Sequence, residues 1–437
     1  MFDFLYSEEK KVRGHAGNWL EVAERVYHFR RDLLTPAQLQ QLEEARRDLK
    51  KMTKDGSKAP ALRAGIERLE KVVRACGGRH YPVSSTVENV EFFLVAAIVI
   101  LGLRAYFVQP FKIPTNSMWP TYYGMTEESF APGAEPGPFG RLGRLVGFGA
   151  VNHTMIAPAD GEVLVPIFEN SPFVAYSQKP GRTLYVFPTV NREYTLMVDG
   201  EPVRVQVPAD FSGFDAALDD QFGQGRGTWR AGLKERIEKS GRPVESSIMN
   251  VDAGSGERQA RVYWVPLGKT VHKGERILSF DVMTGDLLFV DRVTYNFFQP
   301  KIGQGFVFKT ENIHSPQMER PAGVQIKSYY IKRLVGVPGD TLEVKSPVLL
   351  RNGKPIEGAE AFRKNAERQA PYTGYTNTHD LDAGLTVTVP DHAFYAMGDN
   401  SSISADSRYW GFVPDKEVVG RPLFIYYPLT SRWGPAR

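Results

Sequence analysis

The apolar stretch from Phe92 to Val108 constrains this chain more than any other feature of its sequence. It reads FFLVAAIVILGLRAYFV and contains a single charge, Arg104, near its far end. At a rise of 1.5 Å per residue the stretch makes a helix about 25 Å long, which approaches the thickness of a bilayer core. It also lies too far from the N-terminus for a cleavable secretory signal. We therefore predict a permanent transmembrane anchor at residues 86–108, with a buried core helix as the alternative.

The charges before this stretch predict its orientation. Residues 1–85 contain 17 Lys and Arg against 12 Asp and Glu, and the flank of a span that is richer in Lys and Arg usually stays in the cytoplasm. Cys76, the only cysteine, lies on the same side, where a thiol stays reduced, and no intrachain disulfide is possible. We predict a single-pass protein of the cytoplasmic membrane, with its N-terminus in the cytoplasm and the residues after the anchor outside. The lipid bilayer is then one of its partners.

The segment before the anchor has the pattern of a helical hairpin. Apolar residues recur at helical spacing over Leu33–Lys51 and Ala61–Cys76, and turn residues separate the two runs. We predict a cytoplasmic helical region at residues 1–85. Either it is a solvated helical pair, or it docks to a partner protein.

The composition argues against two classes of function. The formal net charge is only +4, and no basic arm is interleaved with aromatic residues, so we expect no nucleic-acid partner. The eight histidines are scattered, and neither His-x-x-x-His nor Cys-x-x-Cys spacing occurs. We therefore expect no metal site and no cofactor.

One serine and one lysine are candidates for nucleophilic chemistry. Ser117 lies in the run 114–121, soon after the anchor, and a serine hydroxyl needs a base to become a strong nucleophile. No histidine stands in a motif, whereas Lys332 lies in the largely apolar run 330–335. A free lysine has a pKa of about 10.4, so burial must lower that pKa by about 2–3 units before the neutral amine can act as a base. Taken singly, each residue is more commonly a solvated surface residue.

Three blocks considered together resemble bacterial type I signal peptidase. They are PTNSMWPT at residues 114–121, YIKRLVGVPGD at 330–340 and GDNSSISADSRYWG at 398–411. The resemblance implies a membrane-bound serine endopeptidase that cleaves N-terminal signal peptides from exported preproteins after small residues, at Ala-x-Ala sites. Ser117 would be its nucleophile and Lys332 its general base. Preprotein signal peptides would be its substrates, and the secretion machinery is a candidate partner.

The same resemblance implies supporting residues. The Ser117 N–H and the Thr115 hydroxyl would hold the oxyanion, and Ser404 would hydrogen-bond to the lysine amine. Charged residues of the third block match the family's supporting shell, in which an Asp–Arg pair holds the loop: Asp399, Asp406 and Arg408. Apolar residues match the walls of the small pockets that accept substrate side chains: Phe111, Ile113, Met118, Tyr330 and Ile331.

The chain departs from the family pattern after the serine block. The strand at 285–290 should follow that block closely, but about 160 residues intervene, so we predict an inserted β-rich domain at 125–280. Within it, Ala131–Gly149 is rich in Gly and Pro and indicates a linker. An Asp-Gly turn inside Tyr194–Val207 is typical of a β-hairpin, and Thr228–Lys239 predicts a helix.

The ends of this insertion are also patterned. Ala157–Val163 and Val271–Leu278 resemble the two halves of a lipoyl-like barrel, although the cofactor-bearing lysine is missing. A structural or partner-binding β-domain is the alternative.

Short β-rich runs alternate with turn residues from Gly285 onwards, without βαβ repeats. The predicted fold class is therefore mainly β: an antiparallel, β-rich catalytic domain at 109–124 and 281–437. To this are added the insertion, one transmembrane helix and the cytoplasmic hairpin. Two alternatives for function remain, a processing protease dedicated to one client and a non-catalytic export scaffold.

Overall fold

The computed structural model describes residues 8–82, 85–169, 174–183, 187–223, 229–230, 233–240, 244–252, 257–315 and 328–436. The chain divides into two units, Met1–Leu101 and Gly102–Arg437. The first unit is helical in its described part, and all of the described strands belong to the second.

Three helices pack together in the first unit: α1 (Glu8–Arg30), α2 (Pro36–Lys54) and α3 (Ala59–Cys76). Helix α2 begins at Pro36 because Thr35 caps it. The Thr35 hydroxyl accepts a hydrogen bond from the Gln38 N–H at 3.3 Å, and the Gln38 side chain accepts one from the Thr35 N–H at 3.0 Å. The apolar pattern over Leu33–Lys51 therefore begins three residues before the helix does. The sequence pattern also missed α1, which shares an apolar core with the other two helices.

Helix α4 (Ser85–Tyr106) contains the apolar stretch. In the described part of the chain it is the one helix that is long and apolar enough to cross a bilayer. None of its residues is buried, and Phe92, Ile98 and Ile100 are each more than half exposed. A core helix would bury such side chains, so this exposure favours the anchor over the buried-helix alternative.

An eight-stranded antiparallel sheet, the main sheet, supports the candidate site. Its strands are β1 (Val108–Lys112), β11 (Leu287–Asp291), β12 (Gly305–Lys309), β13 (Tyr329–Gly336), β18 (Ala393–Met397), β19 (Val413–Pro414), β20 (Val418–Tyr427) and β21 (Gly434–Pro435). Their order is β1-β11-β20-β12-β13-β18-β19, with β21 paired to β20. Strand β1 ends two residues before the first sequence block, and β13 contains the first half of the second block.

A smaller sheet and two short helices complete this part of the chain. The sheet has the order β16-β15-β14-β17 and contains β14 (Thr341–Lys345), β15 (Val348–Arg351), β16 (Lys354–Pro355) and β17 (Thr386–Thr388). The helices are α8 (Glu360–Ala366) and α9 (Ser407–Trp410).

Two further sheets occupy the long stretch between the serine block and β11. One has the order β2-β10-β3, with β2 (Thr126–Ser129), β3 (Val151–Ile156) and β10 (Arg276–Met283). The other has the order β5-β6-β4-β9-β8, with β7 paired to β6; its strands are β4 (Gly161–Phe168), β5 (Tyr176–Thr183), β6 (Phe187–Val198), β7 (Glu201–Pro208), β8 (Glu245–Asp252) and β9 (Glu257–Val271). The helices here are α5 (Pro138–Phe148), α6 (Phe214–Phe222) and α7 (Leu233–Ser240).

One apolar cluster runs through these sheets, from Met125 to Val282. The predicted hairpin forms across Asp199 and Gly200, whose φ angles of 48° and 80° suit a tight two-residue turn. The two patterned ends also lie side by side, because Gly161 pairs with Val271 across β4 and β9.

Two expectations need correction. Ala131–Gly149 is not only a linker, because Pro138–Phe148 forms α5, with Pro138 at a position that favours helix initiation and Gly149 in the left-handed region at its end. The chain as a whole mixes helix and antiparallel sheet rather than being mainly β, because the first unit and α4 are helical. The expected helix at Thr228–Lys239 is described from Leu233 onwards, and part of its first half lies outside the described residues.

Candidate active site

Ser117 and Lys332 meet although 215 residues separate them in the chain. Ser117 lies in a short 3-10 turn, Asn116–Met118, between β1 and β2, and Lys332 lies on β13 opposite Phe306 of β12. The Lys332 Nζ and the Ser117 Oγ are 2.6 Å apart. The two residues are only 4% and 9% exposed. A candidate nucleophile and a candidate base are therefore within hydrogen-bonding distance and largely shielded from water.

Burial lowers the pKa of Lys332 to about 8. Loss of hydration is the main cause; the negative charges of Asp406 and Asp399 oppose it in part, and Arg408 adds to it. The face of Tyr330 lies 5.5 Å from the amine. With a pKa of about 8, roughly one lysine in ten is neutral at pH 7, against about one in 2,500 for a free lysine.

Asn116 and Asn400 hold the turn that carries the nucleophile. The Asn116 side chain accepts a hydrogen bond from the Gly124 N–H at 2.9 Å and donates one to the Met125 carbonyl at 3.1 Å. The Asn400 side chain donates to the Asn116 carbonyl at 3.2 Å, and the Asn400 N–H donates to the Ser117 carbonyl at 3.1 Å. The serine turn is therefore fixed from both sides.

Asp286 connects the two ends of the 113–123 loop, which contains the serine turn. The Ile113 N–H donates to the Asp286 carbonyl at 2.9 Å, and the Tyr123 N–H donates to its carboxylate at 2.8 Å. The carboxylate is fully buried and is paired with Arg432 at 2.8 Å. The Arg432 guanidinium also lies over the Tyr123 ring, 3.5 Å from its centroid. These contacts fasten both ends of the 113–123 loop to β11 and to the C-terminal segment.

Arg333, next to Lys332 on β13, forms a buried ion pair with Asp399. Its Nε donates to one carboxylate oxygen at 2.6 Å and its Nη2 to the other at 2.5 Å. Thr121 donates to the same carboxylate. This network joins Thr121 of the first sequence block, Arg333 of the second and Asp399 of the third.

Asp406 and Arg408 form a second buried ion pair beside the lysine, and both side chains are fully buried. The Arg408 Nε and Nη2 each donate to the carboxylate at 2.8 Å, and the Gly398 N–H donates to it at 3.0 Å. Arg408 also donates to the Thr376 carbonyl at 3.0 Å and to the Ser401 hydroxyl at 2.9 Å. The pair therefore fixes the 398–408 loop beside the lysine.

Ser404 lies in this loop but does not make the expected hydrogen bond to the Lys332 amine. Its hydroxyl is buried and has no hydrogen-bond partner among the described residues. A Cβ at Gly398 would overlap both the Ser404 hydroxyl and the Ser117 carbonyl oxygen. Ser404 thus lies close to the nucleophile's backbone, while the lysine amine is hydrogen-bonded to Ser117 instead.

The remaining predicted residues differ in their exposure. Thr115 is exposed, and its backbone packs so closely against Gly124 that a Cβ added at Gly124 would overlap the Thr115 backbone.

The predicted pocket-wall residues lie in or against apolar clusters. Ile113 and Met118 are buried in one apolar cluster, against which Phe111 and Ile331 pack while remaining partly exposed. Tyr330, the fifth predicted wall residue, is also partly buried and packs against a neighbouring apolar cluster.

No group of three or more His, Cys, Asp or Glu side chains that could hold a metal ion occurs among the residues that the structure describes. The sequence reasoning missed five residues that fasten the site: Asn116, Asp286, Arg333, Asn400 and Arg432. Only their positions in the sequence could have indicated a role in the site. The first four lie in or beside a block or strand that was already singled out for another residue.

Part of the chain matches a known protein family. Residues 275–427 match a family model described as signal peptidase, peptidase S26. That segment contains Lys332, Asp399, Ser404, Asp406 and Arg408; Ser117 precedes it.

Several relatives carry the corresponding name. The chain is 35% identical over 150 residues to a probable signal peptidase I-1 of Synechocystis sp., which covers 34% of this chain and 66% of that relative. It is 38% identical over 104 residues to signal peptidase I S of Bacillus subtilis strain 168, covering 24% of this chain and 54% of the relative. The chain thus spans between about half and two thirds of these relatives.

A crystal structure of a signal peptidase I from Enterococcus faecalis V583 is also similar. It is 28% identical, with 28% of this chain and 97% of that chain covered, at a TM-score of 0.21.

Proposed function

We propose, on the premise that residues 275–427 match the signal peptidase family S26, that the chain is a membrane-anchored serine endopeptidase. It removes N-terminal signal peptides from exported preproteins, with Ser117 as nucleophile and Lys332 as general base. The observation that carries the proposal is the 2.6 Å distance between the Ser117 hydroxyl and a buried lysine amine with a lowered pKa.

The first half of the reaction forms an acyl-enzyme. The neutral Lys332 amine takes the Ser117 hydroxyl proton while the serine oxygen attacks the carbonyl carbon of the scissile peptide bond. The resulting tetrahedral intermediate collapses when the lysine ammonium gives that proton to the departing amine. The mature protein leaves with a free N-terminus, and the signal peptide stays bound to Ser117 as an ester.

The second half returns the enzyme to its starting state. Lys332, neutral again, takes a proton from a water molecule that attacks the ester carbonyl. The proton then passes to the Ser117 oxygen as the ester bond breaks, and the signal peptide leaves as a carboxylate. In both halves the Ser117 N–H and the Thr115 hydroxyl are the proposed donors to the oxyanion, a contribution of typically about 3 kcal/mol for each donor.

The packing around the serine supports a preference for small side chains, as at Ala-x-Ala sites. Ile113 and Met118 are buried beneath the serine turn, so they can form the floor of shallow pockets but cannot open deep ones. Phe111, Tyr330 and Ile331 remain partly exposed and are the proposed pocket walls. Large substrate side chains would be excluded by sterics.

The proposed location follows from α4. Its span would leave residues 1–85 in the cytoplasm and place the candidate site outside, nine residues beyond the apolar stretch. Residues 109–124 and 281–437 would form the catalytic domain and 125–280 the insertion. Preprotein signal peptides, lipids and the secretion machinery are the proposed partners.

Cleavage of a preprotein tests the proposal. Full-length wild type in detergent should cut an Ala-x-Ala preprotein at that site, as mapped by mass spectrometry. Ser117→Ala and Lys332→Ala should each abolish cleavage while circular dichroism stays unchanged, because each removes one reacting group. Lys354→Ala, at an exposed lysine on β16, is the matched control and should cut normally. A normal rate in either active-site variant would refute the dyad.

A second candidate is a protease dedicated to one client. The insertion favours it, because its two sheets and large apolar core give the chain a domain-sized surface beside the site. It predicts that wild type fails on generic Ala-x-Ala preproteins. Failure on every preprotein, including those of the host cell, would favour an export scaffold.

A further inference from the structure

Helix α5 (Pro138–Phe148) has the reverse of the usual arrangement of polar and apolar side chains. Phe139, Leu142 and Val146 share one face, and they are 91%, 58% and 64% exposed. No residue of the helix is buried. A surface helix of a globular domain normally turns its apolar face to the core, so an apolar face directed at solvent indicates a missing apolar partner.

Specific contacts hold the opposite side of α5 against the protein. The Arg144 guanidinium pairs with the buried Asp281 carboxylate at 2.6 Å and with Glu128 at 2.6 Å. These charges fix the rotation of the helix about its axis. The apolar face therefore cannot turn inward without breaking a buried ion pair.

The C-terminal end of α5 is fastened to the end of β20. The Tyr427 hydroxyl donates to the Leu145 carbonyl at 3.0 Å, and the Leu429 N–H donates to the Gly147 carbonyl at 2.9 Å. Leu429 and Trp433, in the segment that follows β20, are also more than half exposed. Tryptophan is a residue that membrane proteins favour at the lipid–water interface.

Strand pairing gives the distance between this end of the main sheet and the point where the chain leaves the proposed span. The span runs into β1, and Lys112 at the far end of β1 pairs with Leu287, which pairs in turn with Tyr427. Four residues along β1 and two strand spacings across the sheet separate Val108 from Tyr427, roughly 16 Å. The C-terminal end of α5, which Tyr427 contacts, therefore lies in the same region of the main sheet as the residue that ends the apolar stretch.

We propose that α5 is an interfacial helix whose Phe139, Leu142 and Val146 enter the outer leaflet of the bilayer. The insertion thereby supplies a second membrane contact besides the span and fixes the orientation of the site above the lipid. The inference rests on the proposed span of α4, but it is independent of the peptidase chemistry.

Site-directed labelling of the full chain tests this assignment. Cys76 is the only cysteine, so a Cys76→Ala background accepts one new thiol at a time for an environment-sensitive fluorophore. Phe139→Cys and Leu142→Cys report on α5, Ile98→Cys reports on the span, and Glu201→Cys, at an exposed hairpin turn, is the aqueous control. Each variant is placed, one copy per disc, in phosphatidylcholine–phosphatidylglycerol nanodiscs with bromine quenchers at known acyl depths.

The expected result is quenching of the two α5 labels by shallow bromines, about 5–10 Å into the headgroup–acyl boundary. The span label should be quenched by deep bromines, and the control label by none. If the span label is quenched but the α5 labels behave like the control, the interfacial assignment is overturned while the span stands. If the α5 labels are shielded from water without bromine quenching, a protein surface covers the helix and the lipid assignment is again overturned. An unquenched span label would overturn the span and this inference together.

Discussion

Raising the pH from about 6 to about 9 should increase kcat/KM along the titration of Lys332. Only the neutral amine can accept the Ser117 proton, and burial places the pKa of this lysine at about 8. The folded-state pKa is lower than that of a free lysine, so the active form becomes dominant above about pH 8 rather than above about pH 10.

The expected magnitudes follow from that pKa. The neutral fraction is about 1% at pH 6, about 9% at pH 7, about 50% at pH 8 and about 90% at pH 9. The rate should therefore rise about ninefold, then about fivefold, then about twofold for successive pH units. A lysine with its ordinary pKa would instead give about tenfold per unit throughout.

The assay is the initial rate of preprotein cleavage at low substrate concentration, which reports the free enzyme. Ser117→Ala serves as the control, because it allows substrate binding to be measured at every pH without turnover. Circular dichroism establishes that the fold survives the pH range. A profile that still climbs tenfold per unit beyond about pH 9 would refute the lowered pKa, and a flat profile would refute lysine as the base.

Three further perturbations test the packing around the site. Arg333→Met should lower the free energy of unfolding by about 3–5 kcal/mol in urea titrations, because it leaves a buried Asp399 carboxylate unpaired; adding Asp399→Leu should restore much of the loss, and a double variant as unstable as the single one would contradict this. Asp286→Asn should lower kcat about tenfold with KM nearly unchanged, because Asp286 holds the loop that carries the proposed nucleophile. A change confined to KM would argue against a role of Asp286 in positioning Ser117. Gly124→Ala should lower kcat about 100-fold because its methyl group overlaps the backbone two residues before the nucleophile, whereas Gly143→Ala, with open space around it, should retain the wild-type rate.

The sequence by itself determined those features that depend on neighbouring residues. The apolar run identified α4, the Asp-Gly pair identified the β6–β7 turn, and an apolar, β-rich run identified the strand that carries Lys332. Each of these is a local property, because helix length, turn dihedrals and strand periodicity are set within a few residues. Resemblance of three blocks then identified Ser117 and Lys332 as a pair.

Only the tertiary structure decided how that pair is held. The pKa of Lys332 depends on burial by strands remote in sequence, and Asp286 meets Arg432 across 146 residues. Composition likewise predicted that Ala131–Gly149 is a linker. In the folded protein Pro138–Phe148 forms a helix whose apolar face points outward. Desolvation, ion pairing and the direction of a helix face are properties of the surroundings in space, so no local pattern in the sequence encodes them.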